Sequence, residues 1–244
     1  MKYDNKKGKE DIEKILENDT EILEKDIPNN DENFTYGNGI KSWVGSIFVD
    51  IVSSTELIKN NDELEVSKIL RSFSSEIITI MNNSDNVREI GIRGDCVYGV
   101  FFCPTKQSTY ELANSAFHIN TLVKMLNKLF QKKDYHQISV GIGVSIGNHK
   151  DLIIKAGKKG TGINDKIWIG DAVVNACNIA NEAGRNSNDT IGFSSNTYDN
   201  FIDILEKNNS GKNVRNWFSY DSYTKTYYAN IVKSEFDKWI DDNI

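Results

Sequence analysis

Hydrophobic residues recur at strand and helix spacing from about residue 43 onward. Apolar residues from Trp43 to Ile51 predict a short strand, and residues 64–81 carry apolar side chains three and four positions apart, which predicts an amphipathic helix. Two further strands are expected over 87–93 and 96–103, joined by a tight turn at Gly94-Asp95. The chain therefore begins its folded core with a strand, a helix and a strand pair.

A second long helix and a glycine-rich strand follow. We expect the helix to begin with a capping box from Ser108 to Glu111. Its expected buried residues are Leu112, Phe117, Leu122, Leu126 and Leu129. In the strand Ile138–Gly147, branched apolar residues alternate with glycine and serine, so one face packs and the other is nearly bare. A bare strand face indicates that a ligand or another backbone approaches closely.

The C-terminal third continues with shorter elements. A strand is expected near 166–169, and a helix over 171–183 is stopped by Gly184. Two more strands, near 214–219 and 224–231, precede a terminal helix.

This element order predicts the fold class. Strand, helix, strand-turn-strand, helix and strand form a split βαβ, ferredoxin-like unit. We therefore predict an α/β (α+β) fold with a mainly antiparallel sheet and helices packed on one face. Residues 41–244 are expected to form one domain, and residues 1–40, which are charged and weakly apolar, a charged N-terminal arm.

Composition narrows the class of protein. With 244 residues, 39% of them hydrophobic, the chain can bury one large core. Its net charge of -6 disfavours a nucleic-acid partner, which requires a basic surface. The odd number of cysteines (Cys96, Cys103 and Cys177) favours a reducing compartment. No stretch approaches the ~20 apolar residues of a membrane span, and the N-terminus lacks a signal-peptide core, so we expect a cytoplasmic protein without a membrane partner.

Two acidic residues are the strongest candidates for chemistry. Asp50 ends the apolar strand, and Asp95 lies in the turn of the strand pair. If neighbouring strands bring the two carboxylates together, their repulsion favours a divalent cation between them. Carboxylate oxygens suit Mg²⁺ or Mn²⁺, so the pair predicts a metal-nucleotide enzyme.

The residues after Asp50 predict an anion site. Ser53 can cap a helix, with Glu56 reaching back to it. The exposed amides of Ser53, Ser54 and Thr55 could then bind a polyphosphate. An ordinary surface carboxylate followed by an ordinary helix cap is the alternative.

These two motifs resemble those of the class III nucleotidyl cyclases, over about residues 43–200. Phe48-Val49-Asp50-Ile51 matches the strand motif of that family, and Gly94-Asp95 matches its hairpin motif. The resemblance implies that Asp50 and Asp95 bind two divalent ions, with the Ile51 carbonyl as a further ligand. It implies attack of a ribose 3′-OH on the α-phosphate with release of pyrophosphate, assisted by ions about 3.5–4 Å apart. It also implies a homodimer, because class III sites lie between two catalytic domains.

The first departure from the family pattern concerns the base. Purine cyclases commonly place a Lys or Glu four residues before the second metal Asp, where this chain has Gly91. Arg93 lies on the same strand face, and its donors suit O2 and O4 of uracil or O2 and N3 of cytosine. Phe48 is also predicted to bind the substrate, together with Gly91 and Arg93. Pairing of Arg93 with Glu89 or with a phosphate is the alternative.

The second departure concerns the helix after residue 170. Many class III enzymes carry Asn and, four residues later, Arg on this helix. Here the possible slots hold Val174, Asn175, Asn178 and Ile179, so no Arg fits. Arg185 is expected to lie beyond the end of the helix, about 10 Å further along than Asn178 at about 1.5 Å per residue. Asn175 stays a candidate for orienting the ribose, with a helix cap or surface amide as the alternative.

Within the class, the chain is most similar to the bacterial Pycsar pyrimidine cyclases of anti-phage defence. The similarity is carried by Ser46–Ile51, Gly94–Phe101 and Lys155–Asp165. It implies conversion of UTP to cyclic UMP, a second messenger for a separate receptor effector. Residues 155–162 lack the ending of a P-loop and are expected to form a hairpin reaching a partner subunit. Cyclic CMP synthesis, a divergent purine cyclase and a catalytically silent nucleotide sensor are the alternatives.

Overall fold

The computed structural model describes residues 3–30, 34–158 and 161–244, which form two sheets and seven α-helices. In chain order the elements are α1 (Asn5–Leu16), β1 (Glu21–Glu24), β2 (Asn38–Ser42), β3 (Val44–Ile51), α2 (Ser54–Asn60), α3 (Glu63–Asn82), β4 (Val87–Arg93), β5 (Cys96–Phe102), α4 (Lys106–Gln131), β6 (Val140–Ile146), β7 (Asp151–Gly157), β8 (Asn164–Ile169), α5 (Asp171–Glu182), β9 (Ile191–Ser194), α6 (Ser195–Asn208), β10 (Phe218–Asp221), β11 (Thr226–Ala229) and α7 (Ser234–Asn243). Part of the predicted arm (1–2 and 31–33) and part of the predicted hairpin (159–160) lie outside the described residues.

The central sheet has seven strands in the order β10-β11-β9-β6-β3-β5-β4. Its strands pair antiparallel except for β6 and β9, which pair in parallel. The predicted mainly antiparallel α/β fold is confirmed, and β3 lies between β5 and β6 near the middle of the sheet.

One face of this sheet carries the hydrophobic core. The helix α3 buries Val66, Ile69, Phe73, Ile77 and Met81, the residues spaced three and four apart in the sequence. Together with α4 and α6 these side chains cover the apolar residues that alternate along β3 and β6. Full burial of each such side chain contributes about 1.5–3 kcal/mol, so this face dominates the stability of the fold.

The opposite face is covered by α5 and by a smaller sheet. A Cβ atom added to Gly141 or Gly143 would collide with backbone carbonyl oxygens of α5, at Ala180 and Ala176 respectively. The bare strand face therefore receives another backbone, one of the two predicted possibilities, and that backbone belongs to the same chain. The long helices lie on one face as predicted, while α5 lies on the other.

The smaller sheet has the order β1-β2-β7-β8 and includes part of the N-terminal arm. β1 pairs in parallel with β2, and Ile27 and Phe34 are buried beside Ile40 and Ile153. By contrast, α1 buries none of its residues. The division into an arm over 1–40 and a catalytic domain over 41–244 stays a prediction.

Several local predictions are wrong. Helix α4 begins at Lys106, and its capping box joins Thr105 to Ser108 instead of Ser108 to Glu111. Leu129 is 41% exposed, because it lies on the outer side of this helix.

The C-terminal region also differs from its sequence pattern. Residues Val214–Trp217 form a 3-10 turn, and the strand begins only at Phe218. Strand β9 and helix α6 were not predicted, although Tyr198, Phe201, Ile202 and Leu205 on α6 are buried at helical spacing. Within the described ranges, no helix combines the length and the apolar character needed to cross a bilayer.

Candidate active site

The structure brings Asp50 and Asp95 together where β3 ends and where β4 turns into β5. Val49 and Ile51 point into the core, so Asp50 between them faces the side of α5. Asp95 lies in the turn between β4 and β5, and Gly94 at φ +63° permits that tight turn. Burial raises the pKa of Asp50 above its usual 3.8, and the negative charge of Asp95 raises it further. The two acids are therefore close enough to repel each other, as the sequence predicted.

Arg185 is the partner of Asp50 that the sequence did not reveal. Its Nη2 atom donates to Asp50 Oδ2 at 2.7 Å and lies 3.5 Å from the Ile51 carbonyl oxygen. Gly184, at φ +67°, turns the chain after α5 and directs Arg185 back toward the sheet. Arg185 lies beyond the end of α5, as predicted, and the turn brings its guanidinium to Asp50, a contact that the sequence analysis did not predict.

The oxygen atoms of Asp50, Asp95 and Ile51 suit a hard divalent cation. Asp50, Asp95 and the Ile51 carbonyl offer carboxylate and carbonyl oxygens, which Mg²⁺ and Mn²⁺ prefer. The guanidinium of Arg185 already lies against two of these three groups, so positive charge is accommodated here. In the described part of the chain, no three His, Cys, Asp or Glu side chains are clustered for metal binding. The oxygen ligands that this site offers are two carboxylates and one backbone carbonyl.

The start of α2 differs in detail from the predicted capping box. Ser53 occupies the N-cap position in a left-handed conformation, φ 57°, and its side chain makes no capping hydrogen bond. The first helical bonds run from the N–H groups of Glu56 and Leu57 to the Ser53 carbonyl. The amides of Ser54 and Thr55 precede these bonds, so they face out of the helix start beside Asp50.

Tyr98 fills the space in front of Gly91. Its ring stacks on Phe48 with centroids 5.2 Å apart, and any side chain at position 91 would collide with it. The hydroxyl of Tyr98 donates to Glu89 Oε1 at 3.0 Å, and Trp168 Nε1 donates to Glu89 Oε2 at 2.9 Å. The place of a purine-reading residue is thus occupied by a tyrosine held from two sides.

Arg93 lies at the exposed end of the same strand face. Its Nη1 atom donates to the Ile92 carbonyl at 3.2 Å, and its charge opposes the rise of the Tyr98 pKa, which burial and Glu89 bring to about 12. Glu89 bonds instead to Tyr98 and Trp168, with Lys166 at 3.7 Å. The alternative pairing of Arg93 with Glu89 is therefore not observed.

Asn175 is not brought together with the acid pair. It lines a cavity of about 360 Å³ with Ser194, Thr226 and Tyr228, on the flank of α5 that faces β9. Cys177 lies on the other flank. Burial raises the pKa of the Cys177 thiol, and the nearby charge of Asp50 raises it further. One chain therefore presents the acid pair and Asn175 on opposite sides of the same helix.

The sequence contains weak signals for Arg185 and Tyr98, the two residues of the site that were not predicted. Arg185 directly follows Gly184, a helix-stopping glycine that permits reversal of the chain. Gly91 pairs with Tyr98 in the register of β4 and β5, a small residue opposite a large one. Both signals require knowing which segments are neighbours in space.

Comparison with known families agrees with this geometry. Residues 40–199 match the model of the adenylate and guanylate cyclase catalytic domain. The chain belongs to this family, the class III nucleotidyl cyclases.

Individual relatives narrow the comparison. A protein of Treponema porcinum named uridylate cyclase is 45% identical over 98% of this chain and 82% of its own length. A uridylate cyclase of Gulbenkiania mobilis is 29% identical over 95% of this chain and 93% of its own length. Among solved structures, a class III adenylyl cyclase-like ATP-binding protein from Pseudomonas aeruginosa superposes with a TM-score of 0.69 at 15% identity, over 96% of this chain and 48% of that one. This structural likeness shows the fold alone.

Proposed function

We propose that this chain is a uridylate cyclase that converts UTP to 3′,5′-cyclic UMP and pyrophosphate. The observation that carries the proposal is the meeting of Asp50 and Asp95 beside the Ile51 carbonyl, on neighbouring segments of one sheet. The names of the two relatives support uridine as the base. In the reaction, the ribose 3′-oxygen bonds to the α-phosphorus, the bond to the β-phosphate oxygen breaks, and the hydroxyl proton is released.

Asp50, Asp95 and the Ile51 carbonyl would hold two divalent ions, Mn²⁺ or Mg²⁺. When bound, such ions activate the attacking hydroxyl and neutralise charge on the leaving pyrophosphate. The carboxylates contribute by holding concentrated negative charge at a partly buried position, where Asp50 is only 20% exposed. The ions would relieve the repulsion that the two acids impose on each other.

The triphosphate would lie against the start of α2. The N–H groups of Ser54 and Thr55 precede the first helical hydrogen bond and can donate to phosphate oxygens. Ser53 is the N-cap residue of α2, and it would contribute its backbone N–H and not its side chain. These donors lie three to five residues after Asp50, so one segment would contact both the metal and the phosphates.

The base would lie between Phe48 and Arg93. Arg93 has only donors, which suit the carbonyl oxygens of uracil. Tyr98 excludes a reading residue at Gly91 and shortens the space available to a base, which disfavours purines. Because O2 and N3 of cytosine are also acceptors, a cytidylate cyclase is the second candidate.

The active form would be a homodimer. Asn175 lies on the flank of α5 away from Asp50, so it could orient a ribose only at the acid pair of another subunit. We place the enzyme in the cytoplasm, where nucleoside triphosphates are available. Its product would act on a separate cyclic-nucleotide receptor in anti-phage defence.

A single assay tests the reaction. The purified protein is incubated with each of the four ribonucleoside triphosphates and Mn²⁺, and the products are identified by mass spectrometry. Cyclic UMP as the main product supports the proposal, and cyclic CMP supports the second candidate. Cyclic purines as main products, or triphosphate binding without any product, would contradict it.

A further inference from the structure

Arg185 contacts the oxygen atoms on which the proposed metal site depends. Its Nη2 atom bonds to Asp50 Oδ2 at 2.7 Å and stands 3.5 Å from the Ile51 carbonyl. The side chains of Arg185 and Asp50 are only 24% and 20% exposed, so water screens this ion pair less than it screens a surface pair.

The position of Arg185 is built by several parts of the fold. Its Nη1 atom donates to the carbonyls of Ala180, at 2.9 Å, and Ala183, at 3.3 Å, at the end of α5. A Cβ atom at Gly141 would lie only 2.8 Å from the same Nη1 atom, so the glycine makes room for the guanidinium. The turn at Gly184 supplies the direction. Four acceptors and a glycine therefore hold one guanidinium at the acid pair.

Arg185 and a divalent ion would compete for Asp50. Mg²⁺ binds a carboxylate oxygen at about 2.0–2.1 Å, so an ion on Oδ2 would lie next to the guanidinium. Two positive charges that share one oxygen repel each other. An ion on Oδ2 must therefore displace Arg185 from this oxygen or bind with a lower affinity than the acid pair alone would give.

We propose that Arg185 is the resident counter-cation of the acid pair, a positioning residue that holds Asp50 without metal and is displaced from it when a divalent ion binds. This inference rests on the proposed function, because it concerns the same metal site. It assigns to Arg185 control over metal affinity and not contact with the reacting atoms. The expected consequence is that removing the guanidinium strengthens metal binding.

Mn²⁺ binding in the absence of nucleotide tests this directly. Free Mn²⁺ is measured by electron paramagnetic resonance during titration of the wild type, Arg185→Gln and Arg215→Gln. Arg215 is the matched control, because it forms ion pairs with Glu206 and Asp203 on α6. We expect Arg185→Gln to bind Mn²⁺ about tenfold more tightly, since a charge-assisted hydrogen bond no longer competes, and Arg215→Gln to match the wild type. Unchanged or weaker binding by Arg185→Gln would overturn the inference.

A second measurement uses the wild-type protein, so it does not depend on whether a variant at position 185 folds. Arginine side-chain ¹⁵N resonances of the wild-type protein are followed during a Mg²⁺ titration. The Arg185 guanidinium signal should change as the ion pair opens, while the Arg215 signal stays constant. A constant Arg185 signal at saturating Mg²⁺ would overturn the inference.

Failure of the inference is distinguishable from failure of the proposed function. If the wild type makes cyclic UMP but Arg185→Gln binds Mn²⁺ like the wild type, only the role of Arg185 is wrong. If Arg185→Gln binds Mn²⁺ more tightly but the wild type makes no cyclic nucleotide, the role of Arg185 stands and the proposed reaction is wrong.

Discussion

Asp50 and Glu89 lie on the same face of the central sheet, and their surroundings differ. Glu89 accepts hydrogen bonds from Tyr98 and Trp168, and the ammonium of Lys166 stands 3.7 Å away. Asp50 faces a second carboxylate and accepts a hydrogen bond from Arg185. The same guanidinium also donates to a carbonyl of α5. Glu89 is thus surrounded by donors, whereas the charge at Asp50 and Asp95 exceeds what one guanidinium neutralises.

This difference separates a structural carboxylate from one suited to binding a cation. A buried acid with hydrogen-bond donors on both oxygens needs no ligand. Two neighbouring acids, of which one is paired with an arginine, retain negative charge, which a divalent ion can neutralise. Burial alone does not distinguish Glu89 from Asp50, since their side chains are both mostly covered, at 15% and 20% exposure.

The largest expected effect tests the cation-binding side of the comparison. Asp95→Asn should lower cyclase turnover at least about a thousandfold, because it removes one of two charged metal ligands. The thermal midpoint without metal should not fall, since the change also removes repulsion at Asp50. Turnover is measured by product formation, and Asp203→Asn, at an exposed ion pair, is the control. Full activity of Asp95→Asn would show that the acid pair is not the metal site.

Asp151 extends the comparison to a carboxylate for which no cation partner is observed among the residues that the structure describes. It is 5% exposed and accepts from the Ala172 N–H, and burial raises its pKa from 3.8 to about 6. The folded protein then holds a proton that the unfolded chain releases, so this group lowers stability as pH rises from about 4 to 6. Asp151→Asn should be as stable as the wild type near pH 4 and up to about 3 kcal/mol more stable at pH 7.

Urea unfolding at a series of pH values measures this difference. Subtracting the two curves removes the contributions of the other acids. A difference that stays constant from pH 4 to pH 7 would mean that Asp151 titrates normally.

The structural side of the comparison predicts a loss of stability at Glu89. Glu89→Ala leaves the Trp168 N–H and the Tyr98 hydroxyl without their acceptor, at an expected cost of about 2 kcal/mol in the free energy of unfolding. Urea denaturation measures it. Glu206→Ala, which removes an exposed partner of Arg215, should cost less than about 1 kcal/mol. Equal losses in the two variants would refute the distinction between these carboxylates.

The smallest expected effect concerns the contact between Gly91 and Tyr98. Gly91→Ala should cost about 1 kcal/mol, because the added methyl group collides with a ring held by Phe48 and Glu89. The double variant Gly91→Ala, Tyr98→Ala should lose less than the sum of the two single variants. Chemical denaturation of all four proteins measures this coupling, and strict additivity would argue against the contact.

Local patterns sufficed for much of the fold. The spacing of apolar residues on α3 and the alternation along β3 and β6 predicted those elements, because each carries its large apolar side chains on one face over several turns or residues. Strand β9 escaped prediction because its four residues are too few for a periodic signal, whereas the 14 residues of α6 do carry a helical spacing that was not used. The start of α4 was displaced because Thr105 and Ser108 compete with Ser108 and Glu111 as capping pairs.

The sequence by itself determined the fold class, the chain order of the first strands and helices of the core, and the presence of two acids at strand ends, since these follow from periodicity and turn residues. Only the tertiary structure decided what each acid meets. Arg185 reaches Asp50 across 135 positions of the chain, and Tyr98 covers Gly91 from the neighbouring strand. Such contacts depend on how a chain reverses at one glycine and on which strands become neighbours, and no local pattern contains that information.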